Sequence, residues 1–88
     1  MTIWKFIIQD TDEQTILVPL GSRLLSVQAQ GHKPCIWALV NPNQPFVPMV
    51  VRIIKTGSPI DPFEDLTYLG TYQLFDGDYV GHVFYRLG

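Results

Sequence analysis

The sequence predicts an all-β domain, a small sandwich or partly open barrel of about seven antiparallel strands with at most one short helical turn. Three observations carry this. Apolar and polar residues alternate with a period of two, as in Leu25, Val27 and Ala29 against Ser26, Gln28 and Gln30, and no stretch keeps a helical period over a useful length. Turn-forming clusters recur at spacings of about eight to twelve residues, the rhythm of small sandwiches and barrels. Finally, Pro34-Cys35-Ile36-Trp37-Ala38-Leu39-Val40 is apolar on both faces, so it must be covered on both, either mid-sheet between two layers or against a second subunit. With 88 residues, one domain spanning 1–88 is expected.

Taken in order, Ile3 to Gln9 is rich in aromatic and β-branched residues, with Trp4, Phe6 and Ile8 on one face, and reads as a strand. Asp10-Thr11-Asp12-Glu13 turns the chain with short polar side chains that bond their own backbone. Gln14 to Pro19 returns as a strand, and Leu20-Gly21-Ser22-Arg23 turns again. Leu24 to Gln30 has one wet side. Gly31-His32-Lys33 is short enough to close a hairpin onto the strand that begins at Pro34, where a missing N–H does least harm.

Asn41-Pro42-Asn43-Gln44-Pro45 is a loop by composition. Phe46 to Thr56 resumes a strand, and Pro48 within it implies an edge position or a bulge. Thr56-Gly57-Ser58-Pro59 breaks that strand, and Asp61-Pro62-Phe63-Glu64 has the form of a helix start with room for about one turn. Thr67 to Phe75 is strand-like. Asp76-Gly77 is the strongest hairpin signal in the chain, because both central positions of a type I′ turn need positive φ, and Asp78 to Arg86 is the last strand.

Composition bounds the function. The chain is 47% hydrophobic and 16% charged, against a usual charged share of about 25%. A domain this small buries only about 60% of its unfolded surface, so the surplus apolar area predicts a homo-oligomer, with Ile36, Trp37 and Leu39 at its interface. Six Lys and Arg against eight Asp and Glu, a net charge of −2, argue against a nucleic-acid polymer as partner. One cysteine makes no intrachain disulfide, and a cytoplasmic location follows from that usage. Met1 to Phe6 lacks the pattern of a signal peptide, and no segment approaches the ~18 apolar residues of a membrane span.

Metal binding needs clustered ligands. His32 in a hairpin tip, His82 in the last strand and Cys35 in an apolar strand show no such spacing, and no cofactor motif is present. Cys35 reads as a small buried hydrophobe, and a Cys35–His82 nucleophile and base would require the fold to join them. The carboxylates Asp10, Asp12, Glu13, Asp76 and Asp78 are explained by turn chemistry. The chain is therefore read as a binding protein rather than an enzyme.

Two groups of residues are the binding candidates. Arg52, Lys55, Thr56, Gly57 and Ser58 end a strand in a turn whose successive amides can form an anion-accepting nest beside positive charge, although a regular strand points Arg52 and Lys55 to opposite faces. Tyr68 and Tyr72, with Gly70 between them, form an aromatic platform if they share a face. His82 supplies a polar rim, with His32 and Lys33 as further members. Gly70 and Gly81 sit mid-strand, where glycine marks a bulge or a close approach by a ligand or another chain.

The words Thr2-Ile3-Trp4-Lys5-Phe6, Leu25-Ser26-Val27-Gln28, Pro34-Cys35-Ile36-Trp37-Ala38-Leu39-Val40, Thr56-Gly57 with Pro59-Ile60, Leu69-Gly70-Thr71-Tyr72-Gln73-Leu74 and His82-Val83-Phe84 resemble a family of short uncharacterised proteins found in tailed bacteriophages and prophage-carrying bacteria. The resemblance runs in order along nearly the whole chain. It departs at Ser58, where the family tends to carry histidine, and at Tyr85-Arg86, where an acidic residue is common. The resemblance implies a small β architecture and a phage or prophage origin, with no catalytic residues to carry over. The function expected is that of a non-enzymatic accessory phage protein, a host-defence antagonist that sequesters a small anionic, nucleotide-like ligand or masks a host protein. The alternative is a structural or assembly component of the virion.

Overall fold

The computed structural model describes residues 1–61 and 65–87. Seven strands appear in order: β1 (Thr2–Ile7), β2 (Glu13–Pro19), β3 (Arg23–Gln30), β4 (Lys33–Val40), β5 (Phe46–Lys55), β6 (Thr67–Leu74) and β7 (Tyr79–Leu87). They form two antiparallel sheets, β1-β4-β3 and β2-β5-β7-β6, so the expected all-β class holds and the architecture is the sandwich. Among the described residues no helix is long and apolar enough to cross a membrane. The helical turn expected from Asp61 to Glu64 falls on Pro62, Phe63 and Glu64, which lie outside the described residues.

The core is built by the period-two pattern. Met49, Val51 and Ile53 point inward from β5 and meet Ile36, Val27, Val18, Leu74 and Val83, while Arg52 and Ile54 face outward from the same strand. β4 is the central strand of its sheet, as its two apolar faces require. Ile36, Ala38 and Val40 are fully buried toward the core. Trp37 and Leu39 point to the outer face and are half-buried. Ile36 therefore does not belong to an outward interface: strand alternation places it opposite Trp37, inside the sandwich.

The strand pairing differs from a chain of simple hairpins. β2 does not return beside β1; it crosses to the other sheet and pairs with β5, while β1 pairs with β4. The Gln14 side chain explains how the connection closes. Its amide accepts from Gln9 N–H at 2.9 Å and donates to Gln9 O at 2.6 Å, supplying to that backbone both bonds that a hairpin partner strand would have supplied.

The prolines fall where ladders lapse. Among the described residues the β5–β7 ladder starts at Met49, so Pro48, paired with Leu17 of β2, stands just past its end. Pro34 likewise lies beyond the β1–β4 register, which ends at Ile7 and Cys35. The Asp76-Gly77 hairpin forms, but its loop runs over four residues, Phe75 to Asp78, rather than two. Phe75, Asp76 and Gly77 all have positive φ, 54°, 55° and 92°, and the Phe75 ring stacks on His32 of the β3–β4 tip at 5.6 Å.

Candidate functional site

The outer face of β5, β7 and β6 carries a continuous polar array. The ladder sets Ile54 beside His82 and His82 beside Thr71. The His82 ring is then held at both nitrogens, Nε2 to Thr56 Oγ1 at 2.7 Å and Nδ1 to Thr71 Oγ1 at 2.9 Å. Thr71 Oγ1 continues to the Tyr68 hydroxyl at 2.6 Å. A neutral imidazole donates from one nitrogen and accepts at the other. Whichever tautomer is present, the array runs in one direction and leaves a hydroxyl proton at one end, on Thr56 or on Tyr68, to donate outward.

Beside this array lies a shallow depression of about 260 Å³, lined by Ile54, Lys55, Thr56, Gly57, Ser58, Ile60, His82 and Phe84. Its walls combine apolar surface from Ile54, Ile60 and Phe84 with donors from Lys55, Thr56 and Ser58. Among the described residues no carboxylate lines it. Lys55 reaches past the strand end, with its ammonium 5.2 Å from the Tyr79 ring centroid. A neighbouring hollow of about 370 Å³ includes Arg52, Lys55 and Ser58 together with Asp12.

Of the residues expected to form a site, Lys55, Thr56, Gly57, Ser58, Tyr68 and His82 share this region. Arg52 lies on the same outer face but is engaged by β2, donating from Nε to Asp12 O at 3.1 Å and lying 3.8 Å from Glu13 Oε1. The expected anion nest is closed. Thr56 N–H donates to Val80 O and Ser58 N–H to Lys55 O, so two of the amides meant for a ligand already have partners. Lys55 and Arg52 diverge as strand alternation requires.

Tyr72 is not part of a platform with Tyr68. A bulge between Tyr68 and Gly70 inserts one residue into β6, so Tyr68 faces solvent while Tyr72 turns into the core and is 3% exposed. There its hydroxyl donates to Asp10 Oδ1 at 2.9 Å, and the Tyr79 hydroxyl donates to the same oxygen. Burial pushes the pKa of the Tyr72 phenol well above its usual range, with the bonds to Tyr79 and Asp10 adding to the rise. Burial raises Tyr79 as well, followed by its bond to Asp10.

The mid-strand glycines serve close approach within the chain. A Cβ at Gly70 would lie 2.9 Å from Val27 Cγ1, and one at Gly81 would lie 2.9 Å from Tyr72 ring carbons. Cys35 is buried in β4, in the sheet opposite His82, so the two form no catalytic pair. Among the described residues, no three of the His, Cys, Asp and Glu side chains group to hold a metal ion.

Thr71, Asp10 and Tyr79 were missed as partners by sequence reasoning. Thr71 was within reach of it, because a hairpin centred on Asp76-Gly77 sets Thr71 opposite His82. Asp10 had no local signal, since it meets its tyrosines across more than sixty positions of chain.

The chain belongs to the family described as a domain of unknown function (DUF7352), whose model matches residues 1–87. No curated protein and no solved structure matches it.

Proposed function

We propose that this member of the DUF7352 family is a non-catalytic accessory protein of phage or prophage origin that sequesters a small anionic ligand of nucleotide-like chemistry. The observation that supports the reading is the depression beside His82. It joins an apolar wall with a set of donors, has no carboxylate among its described lining residues, and has its histidine held in place by two threonine hydroxyls. A flat apolar body with an attached anion matches that lining: the body rests on Ile54, Ile60 and Phe84, and the anion meets Lys55, Ser58 and the outward hydroxyl of the array. Catalysis is disfavoured because His82 has both ring nitrogens occupied and the lone thiol lies buried in the other sheet.

The test is thermal denaturation in the presence of nucleoside mono-, di- and triphosphates and cyclic dinucleotides. A ligand at about a hundred times its dissociation constant stabilises the folded state by ~2.7 kcal/mol, which raises the melting temperature of a domain this size by roughly 10–20 °C. His82→Ala and Lys55→Ala are expected to remove that rise. A panel in which no compound raises the melting temperature overturns the reading. A second reading, a virion component, is favoured by the apolar outer face of β1-β4-β3, and it predicts co-sedimentation with phage particles without any ligand response.

A further inference from the structure

The second sheet packs on the inner side of the β1-β4-β3 sheet, leaving its outer face partly exposed, although Cys35 on that face is buried. The register aligns Ile3 with Leu39 and Arg23, Lys5 with Trp37 and Ser26, and Ile7 with Cys35 and Gln28. Ile3 is 58% exposed, Ile7 54% and Leu25 46%, and Trp37 and Leu39 are half-buried between them. The face is also electrically one-sided. Lys5, Arg23 and Lys33 are three of the chain's six basic residues, and β1, β3 and β4 contain none of its eight acidic ones. Lys5 reaches across the central strand, donating to Gln30 Oε1 at the end of β3 at 2.9 Å, so its side chain runs over the face from one edge strand toward the other.

We infer that this face, with the adjoining edge of β1, docks an acidic, apolar segment of a different protein. Charge decides against a second copy. A two-fold packing of this face on itself would gather Lys5, Arg23 and Lys33 twice over with no carboxylate between them, and like charges in an interface oppose association. A segment that continues past the sheet onto the rim adds main-chain contacts to that charge match. Among the described residues β1 pairs with β4 alone, so the outward backbone groups along Thr2–Ile7 offer main-chain hydrogen bonds to an added strand. That feature favours a polypeptide over a lipid surface.

The experiment uses the full chain carrying Trp4→Phe, which leaves Trp37 as its single tryptophan. A short peptide alternating leucine and glutamate is titrated against it, beside the leucine–lysine counterpart and vesicles of phosphatidylglycerol, with sedimentation velocity on the protein alone. The acidic peptide should shift Trp37 emission to the blue, and its affinity should fall about tenfold between low and high salt as the charges are screened. Lys5→Glu with Arg23→Glu should reverse the preference toward the lysine peptide. If that pair fails to fold, Ile3→Ser with Ile7→Ser, at exposed positions, should weaken the acidic peptide at least fivefold. The inference is overturned if both peptides shift Trp37 equally or neither does, if only vesicles shift it, or if the protein alone sediments as a dimer that Leu39→Ser dissociates.

Discussion

Replacing Gly81 by alanine tests how tightly the site-bearing sheet is built. Gly81 on β7 pairs with Tyr72 on β6, and the tyrosine ring lies over the glycine, filling the place its missing side chain leaves. An added Cβ would sit 2.9 Å from Tyr72 Cε1 and Cζ and 3.0 Å from its hydroxyl oxygen, so the ring must retreat by roughly 0.7–1 Å to reach ordinary contact distance. It has little freedom to do so. The ring is 3% exposed and its hydroxyl is tied to Asp10. Overpacking of this kind costs about 1–3 kcal/mol, offset by the ~0.5–1 kcal/mol that alanine gains over glycine in a strand, for a net loss of roughly 1–2 kcal/mol. A domain this small holds about 4–13 kcal/mol in total, and the loss should lower the melting temperature by roughly 5–15 °C. Thermal and urea unfolding followed by circular dichroism measure it. In a Tyr72→Leu background, where the clashing atoms are gone, Gly81→Ala should be neutral or slightly stabilising, giving a coupling of about 1–3 kcal/mol between the two sites. The reasoning is refuted if the single variant stays within ~0.5 kcal/mol of its parent, or if its cost is the same in both backgrounds.

Further outcomes follow from the same contacts. Tyr72 and Tyr79 are harder to ionise folded than unfolded, so the folded state holds more protons above the ordinary phenol range; stability should be level below about pH 10 and fall above it, and Tyr72→Phe should flatten that fall in urea titrations run at several pH values. Phe75 holds a left-handed φ of 54° with its side chain 60% exposed, so Phe75→Gly should stabilise the chain by roughly 0.5–1 kcal/mol; a lower melting temperature would show instead that the stack on His32 outweighs the strain. Thr56→Val preserves shape while removing the hydroxyl on His82, and should weaken nucleotide-like ligands about tenfold with under ~1 kcal/mol of stability lost, read by calorimetry and thermal unfolding together.

Much of the fold was legible because strands declare themselves locally. Period-two alternation in β3 and β5, the glycine turn at Gly31-His32, and Asp76-Gly77 each reflect sterics and burial within a few residues. Even with a loop from Phe75 to Asp78, the β6–β7 register is the one a hairpin centred on Asp76-Gly77 would set, as far as Thr71 and His82. The site was half legible for the same reason. Thr56, Gly57 and Ser58 could be named as polar or permissive residues at a strand end, and His82 as a polar residue within the last strand. The Tyr68–Tyr72 platform failed on a single inserted residue, because a bulge reverses the face of everything beyond it and its position depends on which side chain the core accepts, here Leu69.

From the sequence alone came the class of structure, the strands, both hairpins and the apolar character of β4, all consequences of side-chain alternation and turn sterics acting over short range. Tertiary structure alone decided that β1 and β2 part company into different sheets, that Asp10 collects two tyrosine hydroxyls, that the amides of Thr56 and Ser58 are already bonded, and that Trp37 and Leu39 of β4 stay half-exposed on the outer face. Those outcomes depend on which distant strands share a ladder, and a hydrogen-bonded ladder is a property of two segments together that neither one encodes by itself.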